Sequence, residues 1–205
     1  MQREHGDRGA GPPLDRSAWR LALERSRTPP RDGEIVGAAV AAVFREIDGD
    51  AELLLIRRAE RPGDPWSGHM AFPGGRVEPA DLDPLATAIR ETREEVGLDL
   101  ERHGELLGPL AQLQAWARGR PAGLYVAPYV FAVARHATLD LSPSDEVARV
   151  VWARLSELHD PAAQTTLPYL IGGQQVELPA VRVGDDLVWG LTHRMLMDLF
   201  GRLSA

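Results

Sequence analysis

Apolar residues along this chain follow two rhythms, and the changes between them divide it into elements. Ile35 to Phe44 is a β-type run, and Asp48-Gly49 supplies a hairpin turn into Glu52–Arg58. On that second strand successive side chains face opposite ways, so Arg57 and Arg58 cannot both enter one site. Ala59 to Met70, which holds Arg61, Pro62, Gly63, Pro65, Trp66 and Gly68, is too broken for regular structure. Ala86, Ala88, Ile89, Thr92 and Val96 then recur at helical spacing in a stretch without Gly or Pro. Asp83 is placed to cap that helix, Pro84 fits its first position, and Gly97 sits just past its end. Leu106–Leu113 and Leu124–Val133 read as strands, with Ala115–Gly123 expected as an Arg- and Gly-rich loop between them, by default an ordinary exposed hairpin loop and alternatively an element that selects substrate. Val147–Trp152 is a further strand and Leu155–His159 a helical turn. Leu167–Val188 predicts a hairpin about Gly172-Gly173 and a second turn at Gly184-Asp185. Trp189-Gly190-Leu191-Thr192 leads into a final amphipathic helix, with Thr192 as its cap and Met195, Leu196, Leu199 and Phe200 inward.

The N-terminal stretch reads differently. Residues 1 to about 13 are rich in Gly, Pro, Arg and Asp and predict a disordered tail. Asp15–Arg25 predicts a short helix offering Trp19, Leu21 and Leu23, and Thr28-Pro29-Pro30 ends it. Residues 1–30 are expected to be a tail with that helix, either packed on the main domain or paired with a partner such as a second copy of the chain. No repeat or linker divides 31–205, which reads as one α/β domain, a mixed sheet with helices on both sides.

Composition narrows the chemistry. The chain has 205 residues, a net charge of −7 and no cysteine. Disulfides, thiolate catalysis and thiolate zinc sites are excluded, and a reducing, cytoplasmic setting is expected. It has no lysine, which rules out Walker-type phosphate loops and Schiff-base lysines. There is no G-x-S-x-G elbow, and the histidines stand at no ligand spacing. The acidic balance argues against nucleic acid and membrane partners, so an anionic substrate would need bound metal and local arginines.

Glu91, Glu94 and Glu95 are the unusual feature. Offsets of three and four residues put these carboxylates on one side of the helix, near its C-terminus, where the dipole also opposes them. Arg90, four residues before Glu94, relieves only part of this repulsion. Such a face in isolation reads as solvated surface. Here the turn Pro73-Gly74-Gly75 adds a backbone carbonyl and free N–H groups, which favours a hard divalent cation.

Gly75, Asp81 and Arg90-Glu91-Thr92-Arg93-Glu94-Glu95-Val96-Gly97-Leu98 resemble the Nudix box, G-x5-E-x7-R-E-U-x-E-E-x-G-U. Asp81 replaces the first Glu, an extra residue precedes Arg90, and Thr92 stands at an aliphatic position. Leu54-Leu55-x-x-Arg58-Ala59, Gly68-x-x-x-Phe72-Pro73-Gly74-Gly75 and Trp189-Gly190-Leu191-Thr192 are similar to the coenzyme A diphosphatase branch. Departures from that branch are Ile56 for Thr, Gly63 for Arg with Arg61 nearby, and one inserted residue before Gly68. The resemblance implies a Nudix α/β/α sandwich that hydrolyses a diphosphate linkage in a nucleoside diphosphate derivative. It implies Mg²⁺ or Mn²⁺ on the Gly75 carbonyl, Glu91, Glu94 and Glu95, with Arg90 orienting the glutamates. Glu91 and Glu146 are then the candidates for general base, and Arg58, Arg61, Arg76 and Phe72 for substrate contacts. Coenzyme A or an acyl-CoA is the expected substrate. ADP-ribose, NADH, another nucleotide, or a non-catalytic nucleotide-binding role are the alternatives. Trp66 is expected as a hydrophobic plug or a substrate-facing ring, and His69 as a structural residue or a phosphate contact.

Overall fold

The computed structural model describes residues 15–25, 36–47, 49–117, 119–134 and 141–204. The expected tail, the Thr28-Pro29-Pro30 stop and Asp48 lie outside these residues. The elements run α1 (Arg16–Arg25), β1 (Val36–Ile47), β2 (Asp50–Arg58), β3 (Met70–Ala71), β4 (Gly74–Arg76), α2 (Pro84–Val96), α3 (Leu100–His103), β5 (Gly104–Pro109), β6 (Leu113–Ala117), β7 (Arg120–Val133), β8 (Val147–Arg154), α4 (Leu155–His159), β9 (Gln164–Ile171), β10 (Gln174–Val183), β11 (Asp186–Trp189) and α5 (Gly190–Leu203).

The large sheet is mixed. Its path is β3-β2-β1-β7-β5, with β4 beside β1, β6 beside β7 and β8 beside β2. β1 and β7 run parallel, and the other pairings are antiparallel. Both faces of β1 and β2 are apolar, so alternation sends neighbours to opposite cores. Ala42, Phe44, Leu53 and Leu55 pack with α1, α4 and α5 through Trp19, Leu23, Leu155, Leu196 and Leu199. Ala41, Val43, Leu54 and Ile56 pack with α2 and α3 through Ala88, Val96 and Leu100. The result is the expected sandwich, with helices on both sides of the sheet. β9, β10 and β11 form a separate antiparallel sheet with turns at Gly172-Gly173 and Gly184-Asp185.

Three expectations change. Ala115–Gly123 is not a loop: β6 and β7 continue as a hairpin, with Trp116 opposite Pro121 and Ala117 opposite Arg120. The ribbon turns at Gly119, which takes φ 76; the arginines and glycines suit an exposed ribbon rather than marking a break. The predicted strand Leu106–Leu113 splits: β5 carries a bulge between Leu106 and Gly108, pairs with β7 as far as Pro109 and ends there, and β6 begins at Leu113. Finally, Thr192 is not a cap, since α5 starts two residues earlier, directly after extended Trp189.

α1 packs on the main domain. Trp19 and Leu23 are 2% and 0% exposed, and Trp19 meets Phe44 edge-on at 4.9 Å between ring centres. Full burial of side chains this size contributes about 1.5–3 kcal/mol each. Arg16 and Arg20 also reach Glu105 at 2.8 and 2.6 Å, but such solvent-exposed pairs contribute less than about 1 kcal/mol. Leu21 points out, at 45% exposure.

Candidate active site

The turn at Pro73-Gly74-Gly75 becomes β4, paired with β1 so that Gly74 faces Val40 and Gly75 faces Ala39. Gly74 must be glycine: a Cβ there would lie 2.3 Å from the Ala39 carbonyl oxygen, at φ 152. Gly75 is bare for a different reason. A Cβ on it would fall 2.3 Å from Oε1 of Glu91, so this carboxylate rests against the glycine backbone.

α2 delivers the acids. Asp83 Oδ1 accepts the Ala86 N–H at 2.8 Å, Pro84 opens the helix, and the Gly97 N–H closes it on the Arg93 carbonyl with φ 75. Glu95 is 3% exposed, and its Oε2 accepts the Gly74 N–H at 2.8 Å while Arg58 stands 3.8 Å from Oε1. Burial pushes its carboxyl up to about 7; the Gly74 N–H and Arg58 pull it down, and Glu91 and Glu146 push it further up. Burial also raises Glu91, against Arg90 and with help from the charges of Glu94 and Glu146.

Arg90 ties the box together. Nε and Nη2 donate to the two oxygens of Asp81 at 2.9 and 3.0 Å, and Nη2 also to the Arg76 carbonyl at 3.1 Å. Nη1 donates to Glu91 at 3.1 Å and Glu94 at 3.0 Å. Asp81 further accepts the Glu78 N–H and the Thr87 hydroxyl, both at 2.8 Å. The Arg90 hydrogen bonds and these donors hold its carboxyl far below the usual carboxylate range.

A family model described as the NUDIX domain matches residues 36–170. The chain belongs to the Nudix family. It is 35% identical over 159 residues to the mitochondrial coenzyme A diphosphatase NUDT8 of Homo sapiens, covering 76% of this chain and 64% of that protein. It is 38% identical over 117 residues to an uncharacterized protein of Schizosaccharomyces pombe, covering 56% of this chain and 35% of that one. The match thus spans less than two thirds of either relative. Among solved structures, a MutT/nudix family protein from Enterococcus faecalis superposes with a TM-score of 0.54 at 19% identity, over 90% of this chain and 68% of that one. At that identity the likeness concerns the fold.

In this Nudix chain the unusual first acid, Asp81, is the anchor of Arg90. Of the expected substrate residues, Arg58 lines a cavity of about 750 Å³ together with Arg76, Glu91, Glu95 and Glu146. Arg58 donates to Asp64 at 3.1 Å, and its buried Nε makes no hydrogen bond among the described residues. Arg57 points away to Glu60 and Asp186, as strand alternation requires. Arg61 pairs with Glu146 at 3.2 Å, both half-exposed. Phe72 lines the cavity but is 2% exposed and belongs to the core beneath it, so it serves as floor rather than as a free contact. Trp66 lines the cavity and donates from its ring to the Trp116 carbonyl at 3.3 Å. His69 meets Trp189 with the two rings tilted at 53° and their centres 4.4 Å apart, and burial lowers its pKa, which leaves the ring neutral near pH 7.

The donor set suits a hard cation: carboxylates beside a glycine backbone, two of them raised by burial and mutual repulsion. Among the described residues no three acidic or histidine side chains already converge at ligand spacing. Glu91 and Glu94 instead share Nη1 of Arg90. Trp116, Tyr169, Trp189, Thr192 and Arg194 also line the cavity. Of these, only the Trp189-Gly190-Leu191-Thr192 run carried a signal in the sequence, through its resemblance.

Proposed function

We propose that this Nudix protein is a metal-dependent hydrolase of the diphosphate linkage in coenzyme A or an acyl-CoA. The observation that carries the reading is the Glu91–Gly75–Glu95 arrangement, with half-buried Glu91 and buried Glu95, both raised in pKa, lining a cavity that Arg58 also lines. Bound by Glu91, Glu94, Glu95 and the Gly75 carbonyl, Mg²⁺ or Mn²⁺ would neutralise phosphate charge and acidify a water. Arg58 and Arg76 bind and orient the diphosphate, and Arg61 contributes from the rim. Arg90 keeps the acids in register through Asp81. Glu146, at the cavity wall, accepts the proton of the attacking water, with Glu91 as the other candidate. The water adds to one phosphorus and a phosphate monoester leaves, giving 3′,5′-ADP and 4′-phosphopantetheine from coenzyme A. The similarity to a relative named as a coenzyme A diphosphatase supports this substrate over ADP-ribose, NADH or another nucleotide.

The test is a turnover screen of coenzyme A, acyl-CoA, ADP-ribose, NADH, dinucleoside polyphosphates and nucleoside triphosphates, with Mg²⁺, Mn²⁺ or EDTA. Metal-dependent cleavage that favours coenzyme A or its thioesters is expected. No cleavage of any diphosphate, together with no thermal shift in saturating Mg²⁺ or Mn²⁺, sinks the reading.

A further inference from the structure

The cavity has a second polar end, built by α5. β11 runs into this helix without a loop: Trp189 is extended and Gly190 turns the chain at φ 62. The first-turn N–H groups of this 14-residue helix therefore have no acceptor within it. No side chain caps them, and the first turn carries no acid. Gly190, Leu191, Thr192 and Arg194 all line the cavity.

Thr192 provides an independent sign of a ligand. It is 7% exposed, yet it borders the cavity and its hydroxyl has no hydrogen-bond partner among the described residues. Exposed Arg194 likewise has no ion pair among them. Two acids of the cavity wall have other partners: Asp64 pairs with Arg58 and Glu146 with Arg61. A positive helix end, Thr192 with its unpartnered hydroxyl and Arg194 without an ion pair among the described residues thus line one cavity, which Glu91 and Glu95 also line.

We propose that the N-terminal turn of α5, with Thr192 and Arg194, is an anion subsite for a phosphate monoester carried by the nucleoside of the substrate, separate from the diphosphate that is cut. Several N–H donors, one hydroxyl and one guanidinium match a tetrahedral dianion. Trp189, held between His69 at 4.4 Å and Tyr169 at 5.1 Å, fixes the junction from which the helix starts. The inference rests on the proposed function in placing the diphosphate at the acidic end of the cavity and in taking a substrate whose nucleoside carries a further phosphate.

Binding to the full chain in EDTA tests it without turnover. Isothermal titration compares adenosine 3′,5′-bisphosphate, adenosine 5′-phosphate and adenosine 5′-diphosphate. Wild-type protein is expected to prefer the 3′,5′-bisphosphate to the 5′-phosphate by about 10-fold or more. Thr192→Val and Arg194→Gln should each cut that preference several-fold and leave the 5′-phosphate affinity unchanged. Arg194 is exposed, so its variant carries the test even where Thr192→Val fails to fold. Equal affinities in the wild type, equal weakening of all ligands by the variants, or 5′-diphosphate binding as tight as the 3′,5′-bisphosphate overturns the proposal. Loss of the subsite leaves the hydrolase reading standing, and absent hydrolysis leaves this binding result intact.

Discussion

Arg90 grips Asp81 with Nε and Nη2 on the two carboxylate oxygens, at 2.9 and 3.0 Å, across nine residues of chain. The contact closes the loop between β4 and α2 and leaves Nη1 for Glu91 and Glu94. Asp81→Asn should therefore destabilise the protein by about 1–3 kcal/mol at neutral pH, the range for hydrogen bonds to charged groups. The pH dependence has a definite sign. A carboxyl whose folded pKa is depressed stabilises above its unfolded value, near 3.9, and loses that contribution as pH falls through the folded pKa. The gap between wild type and variant in urea denaturation should be full at pH 7 and shrink below about pH 4. A gap that stays constant down to pH 2 would contradict the assignment.

Glu95 is expected to separate stability from activity. Gln in its place still accepts the Gly74 N–H but carries no buried charge. Glu95→Gln should melt at or slightly above the wild-type temperature and lose about 100-fold or more of its Mg²⁺-dependent turnover. Glu94→Gln should lose turnover likewise, as a proposed metal-holding acid, and keep its stability, since that side chain is 55% exposed. Near-normal rates in both variants would remove these acids from the chemistry.

The two neighbouring glycines make different predictions. Gly74→Ala forces a Cβ into the Ala39 backbone at a left-handed φ, and neither can yield cheaply. Its melting temperature should fall sharply. In Gly75→Ala the clash is with the movable end of Glu91. That variant should fold nearly as well as wild type, judged by circular dichroism, while turnover drops because the carboxylate is displaced.

Trp19 tests whether α1 belongs to the domain. Trp19→Ala should cost about 3–5 kcal/mol in chemical denaturation, as for other buried aromatic truncations. A change below about 1 kcal/mol would make α1 a dispensable appendage.

Much of this protein was legible from residues near one another in sequence. The helix from Asp83 to Gly97, its caps, the opposed directions of Arg57 and Arg58, and the turns at Gly172-Gly173 and Gly184-Asp185 all follow from local rules. Periodicity and capping act within a few residues, so one segment carries the information. The acids beside the glycine turn were visible for the same reason. What only the tertiary structure decided is how distant segments meet: that Asp81 anchors Arg90, that Phe72 is floor, and that Ala115–Gly123 is a paired ribbon. The same holds for the start of α5 two residues before Thr192, which places that residue in the wall of the cavity. Those outcomes depend on strand partners and on which side chain reaches a donor first, and neither is encoded in the spacing of residues along one strand or helix.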